Sequence, residues 1–285
     1  MKESETITLM AAAKETLERH WKGTKNEMTA WNNARDVFER MGRDVPVNEV
    51  DERLIDRLVA DLEADGKKPA TINRKLSALS KILRHSLRLG YVSRMPLIDR
   101  RKEPRGRMRW LSDEEELVVV RLFQRTSLEM SRFVEALVDT GMRFSELFEL
   151  EWRDVDFERS VVHLWETKNG RPRTVPLTRR AVASLKGQVG GGFLRVWGFT
   201  KYQFRHAWDG VRKEMGMTDD KQFVPHALRH TCASRLVQRG IDLRIVQEFL
   251  GHSNINTTLR YAHLAPKNLE QARDALEVDR KTLSA

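Results

Sequence analysis

Residues 223–261 read Phe223-Val-Pro225-His226-Ala-Leu-Arg229-His230, then a helical run, then Leu250-Gly251-His252, then Thr257-Thr258-Leu-Arg-Tyr261. Pro225 just before a helix places His226 and Arg229, three apart, on one exposed face of its first turns. Apolar residues at 241, 243, 245, 246, 249 and 250 predict a second helix over 241–250. Gly251 is suited to stop it, which leaves His252 exposed in the turn. A short helical stretch over 257–262 carries Tyr261. Histidines, an arginine and a tyrosine so placed point to phosphoryl transfer onto the tyrosine. A tyrosine hydroxyl titrates near ~10 and is a weak nucleophile. It needs a base beside it and cations around the phosphate it attacks. Arginine clamps phosphate oxygens with paired hydrogen bonds, and histidine donates or accepts.

A metal site is the rival reading, because His226 and His230 stand four apart as in the zincin helix. That pattern needs Glu directly after the first His, and Ala227 stands there. Cys232 is the only cysteine and no third ligand is evident, so no metal is expected. The single cysteine excludes an intrachain disulfide and fits a reducing cytoplasm.

The 285 residues suffice for two domains; 40% are hydrophobic and 32% charged. A net charge of +10 favours a polyanionic partner. No apolar run approaches the roughly 18 residues of a membrane span, and the polar, acidic residues 1–8 do not read as a signal peptide. The charge is unevenly placed. Residues 1–65 hold 10 basic and 15 acidic side chains, residues 66–109 hold 14 basic and 2 acidic ones. Such an excess in one block favours DNA over a merely solvated face.

Helical spacing predicts four helices in the first part, over 8–21, 24–41, 51–64 and 69–89. The last has Ile72, Leu76, Leu79, Ile82, Leu83 and Leu87 on one face and Asn73, Arg74, Lys75, Lys81, Arg84, His85 and Arg88 on the other. Residues 99–110, with Pro104 and Gly106, read as a basic linker. Ser112 and Glu115 form a capping box opening a helix to about Arg125, and a further helix covers 127–140. Thr140-Gly141-Met142-Arg143-Phe144-Ser145-Glu146-Leu147 then reads as a helix end followed at once by a helix start. Strand-like runs at 161–165 and 173–177 flank Asn169-Gly170, a strong hairpin signal with Lys168 at its turn. Helices follow over 178–186, 200–215 and 268–278.

His226-x-x-Arg229, Leu250-Gly251-His252 and Tyr261, nine residues after His252, resemble in order the C-terminal signature of tyrosine recombinases, the phage integrase family. The stretch around Arg143 is similar to that family's first-arginine motif, and residues 70–79 resemble its core-binding domain. The resemblance covers nearly the whole chain. It implies a mainly α fold with a small β-sheet (α+β) in a catalytic domain, residues 111–285, which includes a C-terminal helix that often packs on a neighbouring subunit. An all-α four-helix core-binding domain, residues 1–98, precedes it, with the linker at 99–110. The roughly 107 residues ahead of the catalytic part leave no room for the arm-binding domain of larger integrases.

The resemblance further implies the site. Tyr261 is the nucleophile that forms a 3′-phosphotyrosyl intermediate. Arg143 and Arg229 bind the nonbridging oxygens, and Glu146 supports Arg143. His226 is the base for Tyr261, His252 donates to the phosphate, and Lys168 protonates the leaving 5′ oxygen. Asn73, Arg74, Lys75, Lys81, Arg84, Arg105 and Arg107 are expected on DNA, mostly on phosphates. No cofactor is expected. Expected partners are double-stranded DNA at attachment or crossover sites, a homotetramer on synapsed DNA, and a directionality factor or host DNA-bending protein. The expected setting is the cytoplasm, at the nucleoid of a bacterial or phage-infected cell. Integration or excision of a phage or mobile element leads the readings. A chromosome- or plasmid-dimer resolvase, a type IB topoisomerase and a catalytically dead DNA-binding relative are the alternatives.

Overall fold

In the computed structural model of the protein, residues 7–104, 108–165, 172–189, 194–266, 273 and 276 are described. The chain falls into two units, Met1–Gly106 and Arg107–Ala285.

The first unit holds α1 (Leu9–Thr16), α2 (Glu27–Met41), α3 (Glu52–Ala64) and α4 (Pro69–Leu89). Local chemistry sets their ends. Thr8 accepts from the Ala11 amide, Asp51 accepts from the Leu54 amide, and Pro69 opens α4 where a missing N–H costs nothing. Gly90 closes α4 in the left-handed region. The first helix is shorter than its spacing predicts. After Thr16 the chain winds wider as a π-turn over Leu17–Trp21, ending in a Lys22 N–H bond to the Leu17 carbonyl at 2.8 Å. Leu9, Val37, Phe38, Ile55, Leu58, Leu62, Leu76, Leu79, Ile82 and Leu83 form the core. Each such buried side chain contributes about 1.5–3 kcal/mol.

Two side chains expected on DNA are instead turned into this unit, which corrects those assignments. Asn73 is only 6% exposed; its amide donates to the Arg101 carbonyl (2.8 Å) and to Glu103 Oε1 (2.7 Å), and its Oδ1 accepts from the Arg101 amide (2.8 Å). Lys75 is 8% exposed and its Nζ lies 2.7 Å from Asp36 on α2. A helix as closely packed as α4 has a narrower free face than the pattern of polar residues suggests. Arg74 and Arg84 are exposed and Lys81 is half-buried. Arg105 and Arg107 lie outside the described residues.

The second unit begins with α5 (Asp113–Thr126), opened by the expected capping box: Ser112 N–H donates to Glu115 Oε2 at 2.9 Å and Glu115 N–H to Ser112 Oγ at 3.2 Å. There follow α6 (Leu128–Thr140), α7 (Phe144–Phe148), β1 (Val155–Asp156), β2 (Val161–Leu164), β3 (Arg173–Pro176), α8 (Arg179–Lys186), α9 (Lys201–Glu214), α10 (His226–Gln238), α11 (Leu243–Leu250) and α12 (Ile255–Leu259). The strands make an antiparallel sheet in the order β1-β2-β3, with Val162 opposite Val175 and Leu164 opposite Arg173. The two-residue β1 is too short for a periodic signal and was not expected. Helix α6 packs against α5, α8 and α10. Phe123, Phe133, Phe204, Trp208 and Phe223 fill the core beside it with stacked and edge-on rings.

Helix α10 is buried on most sides, through Ala227, Leu228, Thr231, Cys232, Ala233, Ser234 and Val237. Ion pairs fix its place. Glu116 of α5 takes both Arg180 of α8 (2.6 Å) and Arg235 of α10. Ahead of it, Arg109 bonds Asp220 at 3.0 Å and lies over the Phe223 ring. The Leu111 amide donates to Thr231 Oγ1 at 2.9 Å. The hairpin turn with Lys168, and the helix expected over 268–278, fall outside the described residues, apart from residues 273 and 276.

The Asn73 contacts predict that Asn73→Ala lowers the stability of the first unit by about 1–3 kcal/mol, since it strands buried polar groups. Denaturant unfolding checks this; a variant with wild-type stability and weakened DNA binding would restore Asn73 to the DNA face.

Candidate active site

Two helices end at one place. α6 stops at Gly141 with φ +57°, and α11 stops at Gly251 with φ +67°. Both glycines are required twice over, by the left-handed backbone and by crowding. A Cβ on Gly141 would lie 2.6 Å from Leu250 Cδ2, and one on Gly251 would lie 2.8 Å from the Arg173 side chain. The carbonyls at such ends lack intrahelical partners. Here they hold arginines. Arg229, on the first turn of α10, donates from Nη1 to the Gly141 carbonyl (2.6 Å) and from Nη2 to the Leu250 carbonyl (2.7 Å). Arg143 donates from Nη2 to the Gly251 carbonyl at 2.9 Å.

Arg143 is also the cap of α7. Its amide bonds Glu146 Oε2 (2.8 Å) and its Nη1 bonds Glu146 Oε1 (2.6 Å). A third guanidinium, from Arg173 on β3, meets both oxygens of the same carboxylate at 3.0 and 2.7 Å. Burial by itself would raise the Glu146 carboxyl. The Arg173 fork and then Arg143 outweigh it and hold the group at about 2. Arg229 is 4% exposed and forms no ion pair among the described residues. Burial first, then Arg143, lowers it to about 10, so it stays charged at neutral pH. Among the described residues, three guanidinium groups against one carboxylate leave two positive charges unbalanced. A site of that kind attracts an anion.

The histidines and the tyrosine adjoin this cluster. His230 Nδ1 lies 2.5 Å from the Tyr261 hydroxyl. The His226 ring, at the exposed rim, stands edge-on to His230 with centroids 4.6 Å apart. Thus His230, and not His226, meets the tyrosine that sequence reading paired with His226. His252 is half-buried instead of exposed, because its Nδ1 bonds Thr258 Oγ1 at 2.9 Å. Tyr261 sits in the link between α12 and a 3-10 turn over Ala262–Leu264, not within a helix, and is 2% exposed among Cys232, Ala233, Val237, Val246 and Leu250. Burial raises its hydroxyl to about 12. Burial, followed by neighbouring positive charge, lowers His230 and His252 to about 3. The protein packed around His226, then Arg229 and Arg143, lowers that ring as well. In the neutral tautomer with its proton on Nε2, His230 accepts at Nδ1 from the Tyr261 hydroxyl.

The structure therefore brings together Arg143, Glu146, His226, Arg229, His252 and Tyr261; Lys168 lies outside the described residues. Arg173 and His230 escaped sequence reading. The signal for His230 was its four-residue spacing from His226, which sets both on one helix face. Arg173 read only as part of a strand.

A family profile described as "Phage integrase family" matches residues 110–268. The chain belongs to the phage integrase family, the tyrosine recombinases. With that membership it is a tyrosine-type site-specific recombinase. It is 31% identical over 254 residues to "Tyrosine recombinase XerC" of Pelobacter propionicus, covering 84% of this chain and 83% of that protein. It is 32% identical over 230 residues to the integrase of Salmonella phage P22, covering 72% of this chain and 58% of that one. Among solved structures, the Tn1549 transposon integrase with a circular intermediate DNA shares the fold (TM-score 0.77, 18% identity, 95% of this chain and 99% of that one). So does a lambda integrase tetramer bound to a Holliday junction (TM-score 0.73, 18% identity, 90% and 78%).

The neutral histidines of this recombinase give a signed prediction. Unfolded histidine titrates near ~6.5, so below that pH the unfolded chain takes up protons that folded His230 and His252 refuse. Their contribution to stability is present above about pH 6.5 and is lost as the pH falls toward 3. The melting temperature should fall between pH 7 and 4, and His230→Gln should flatten that fall.

Proposed function

We propose that this recombinase cuts and rejoins duplex DNA through a 3′-phosphotyrosyl bond to Tyr261. The observation that carries the reading is Arg229, a buried guanidinium held by helix-end carbonyls and, among the described residues, by no carboxylate, in one site with Arg143 and Tyr261. Arg143 and Arg229 take the nonbridging oxygens of the scissile phosphate. The Tyr261 oxygen attacks phosphorus, its proton passes to His230 Nδ1, and the bond to the 5′ oxygen breaks as Lys168 supplies that oxygen with a proton. His226 and His252 donate to the phosphate once its charge raises their basicity. The phosphotyrosyl bond conserves the phosphodiester energy, so rejoining reverses these steps. At 2% exposure the tyrosine does not reach a duplex. The segment around 255–264 therefore moves when DNA arrives.

Arg74, Lys81 and Arg84 on α4 contact phosphates, which position the enzyme without specifying sequence. Recombination joins two duplexes through four active sites, hence a tetramer on DNA, with a directionality factor or DNA-bending protein as an accessory. The favoured substrate is the attachment site of a phage or mobile element at the bacterial nucleoid. Resolution of chromosome or plasmid dimers is the second reading, favoured by the similarity to XerC over 83% of that protein's length.

Covalent trapping on genomic DNA tests the reading. A few discrete protein-linked sites, absent with Tyr261→Phe while DNA binding persists, are expected; adducts in that variant would move the nucleophile elsewhere. Arg229→Ala should slow adduct formation by about 10²–10³-fold. His230→Gln should slow it more than His226→Gln does. Arg84→Ala should reduce the slope of log affinity against log salt by about 0.9.

A further inference from the structure

Arg173 opens β3 opposite Leu164 and reaches the phosphate-binding arginines through one carboxylate. Its side chain is 11% exposed. Its Nε is buried without a hydrogen-bond partner among the described residues. Its place is therefore set by the fork of its two terminal nitrogens on Glu146 and by close packing on Gly251, where a Cβ would lie 2.8 Å away. Glu146 Oε1 takes Nη1 of Arg143 and Nη1 of Arg173; Oε2 takes the Arg143 amide and Nη2 of Arg173.

The charge balance gives this arrangement a consequence. Glu146 is 7% exposed in its side chain and ionised, so it neutralises one guanidinium. Arg173 meets it with two guanidinium nitrogens, Arg143 with one guanidinium nitrogen and its uncharged amide. Arg143 keeps its other terminal nitrogen on the Gly251 carbonyl, a partner without net charge. We propose that Arg173 is a positioning residue that occupies the Glu146 carboxylate, so that Arg143 keeps its charge and its place for the scissile phosphate. Without Arg173, Glu146 closes on Arg143 and the clamp loses one effective cation. The inference rests on the reading of Arg143 as a phosphate ligand.

The test is single-turnover formation of the phosphotyrosyl adduct on a synthetic duplex of the trapped sequence. One form carries an ordinary scissile phosphate, the other sulfur at the 5′ bridging position, a leaving group that needs no proton. Arg173→Met should slow both substrates about 10²-fold. Arg173→Lys, which restores charge without the fork, should recover part of that loss and guards against a variant that merely fails to fold. In an Arg143→Lys background, Arg173→Met should cost less than about threefold more, because its effect passes through Arg143. Rescue of Arg173→Met by the sulfur substrate would overturn the inference, since the effect would then run through the proton donor Lys168. So would full additivity with Arg143→Lys, or an unchanged rate. A wild-type chain that forms no adduct on any DNA would sink the recombinase reading instead. In that event inorganic phosphate is the probe. Binding weakened about tenfold by Arg173→Met and by Arg143→Lys alike would sustain the role of Arg173, and unchanged binding would end it.

Discussion

The site depends on two arginines bonded to the carbonyl groups at two helix ends. A helix end offers acceptors that its own backbone leaves unused, and it carries partial negative charge. Arg229 takes the ends of both α6 and α11, and Arg143 takes the end of α11. Those carbonyls fix the guanidinium groups without cancelling their charge, as carboxylates would. The positive charge stays available to an anion while the geometry is fixed in advance, which is the condition for strong electrostatic stabilisation of a developing negative charge.

This constraint explains the residues around it. Gly141 and Gly251 permit the left-handed turns that aim the carbonyls inward, and a methyl group at either would force neighbouring side chains to shift. The ion pairs of Glu116 with Arg180 and Arg235 hold α5, α8 and α10 together behind the site. Among the described residues, the one carboxylate inside the cluster is Glu146, which two arginines share.

The DNA-free protein holds its chemistry in reserve. Tyr261 is buried in apolar surroundings and titrates far above neutrality, while its partner His230 titrates far below it. Proton transfer between the two is unfavourable until an anion enters and the surroundings change. In the proposed reaction, a bound phosphate favours protonated histidine through its own negative charge, which the same positive site attracts.

Most helices were legible because their signals are local: the Thr8 and Asp51 caps, the Ser112–Glu115 box, Pro69 at the start of α4 and Gly90 at its end. The family and several residues of the cationic cluster were legible because Gly141-Met142-Arg143, His226-x-x-Arg229 and Leu250-Gly251-His252 stand at helix ends in a fixed order. Asn73 and Lys75 show where that reading stops. A polar residue on a helix reads as exposed, yet residues 101–103 and Asp36 cover these two, and such coverage comes from distant parts of the chain. The same holds for Arg173, 27 positions from Glu146, and for His230, 31 positions from Tyr261. The sequence by itself determined the helices, their ends and the kinds of side chain the site would use, because caps, periodicity and spacing act over a few residues. Only the tertiary structure decided which histidine meets the tyrosine, which arginine shares the carboxylate and which basic residues stay outside, because packing sets those pairings between segments far apart in the chain.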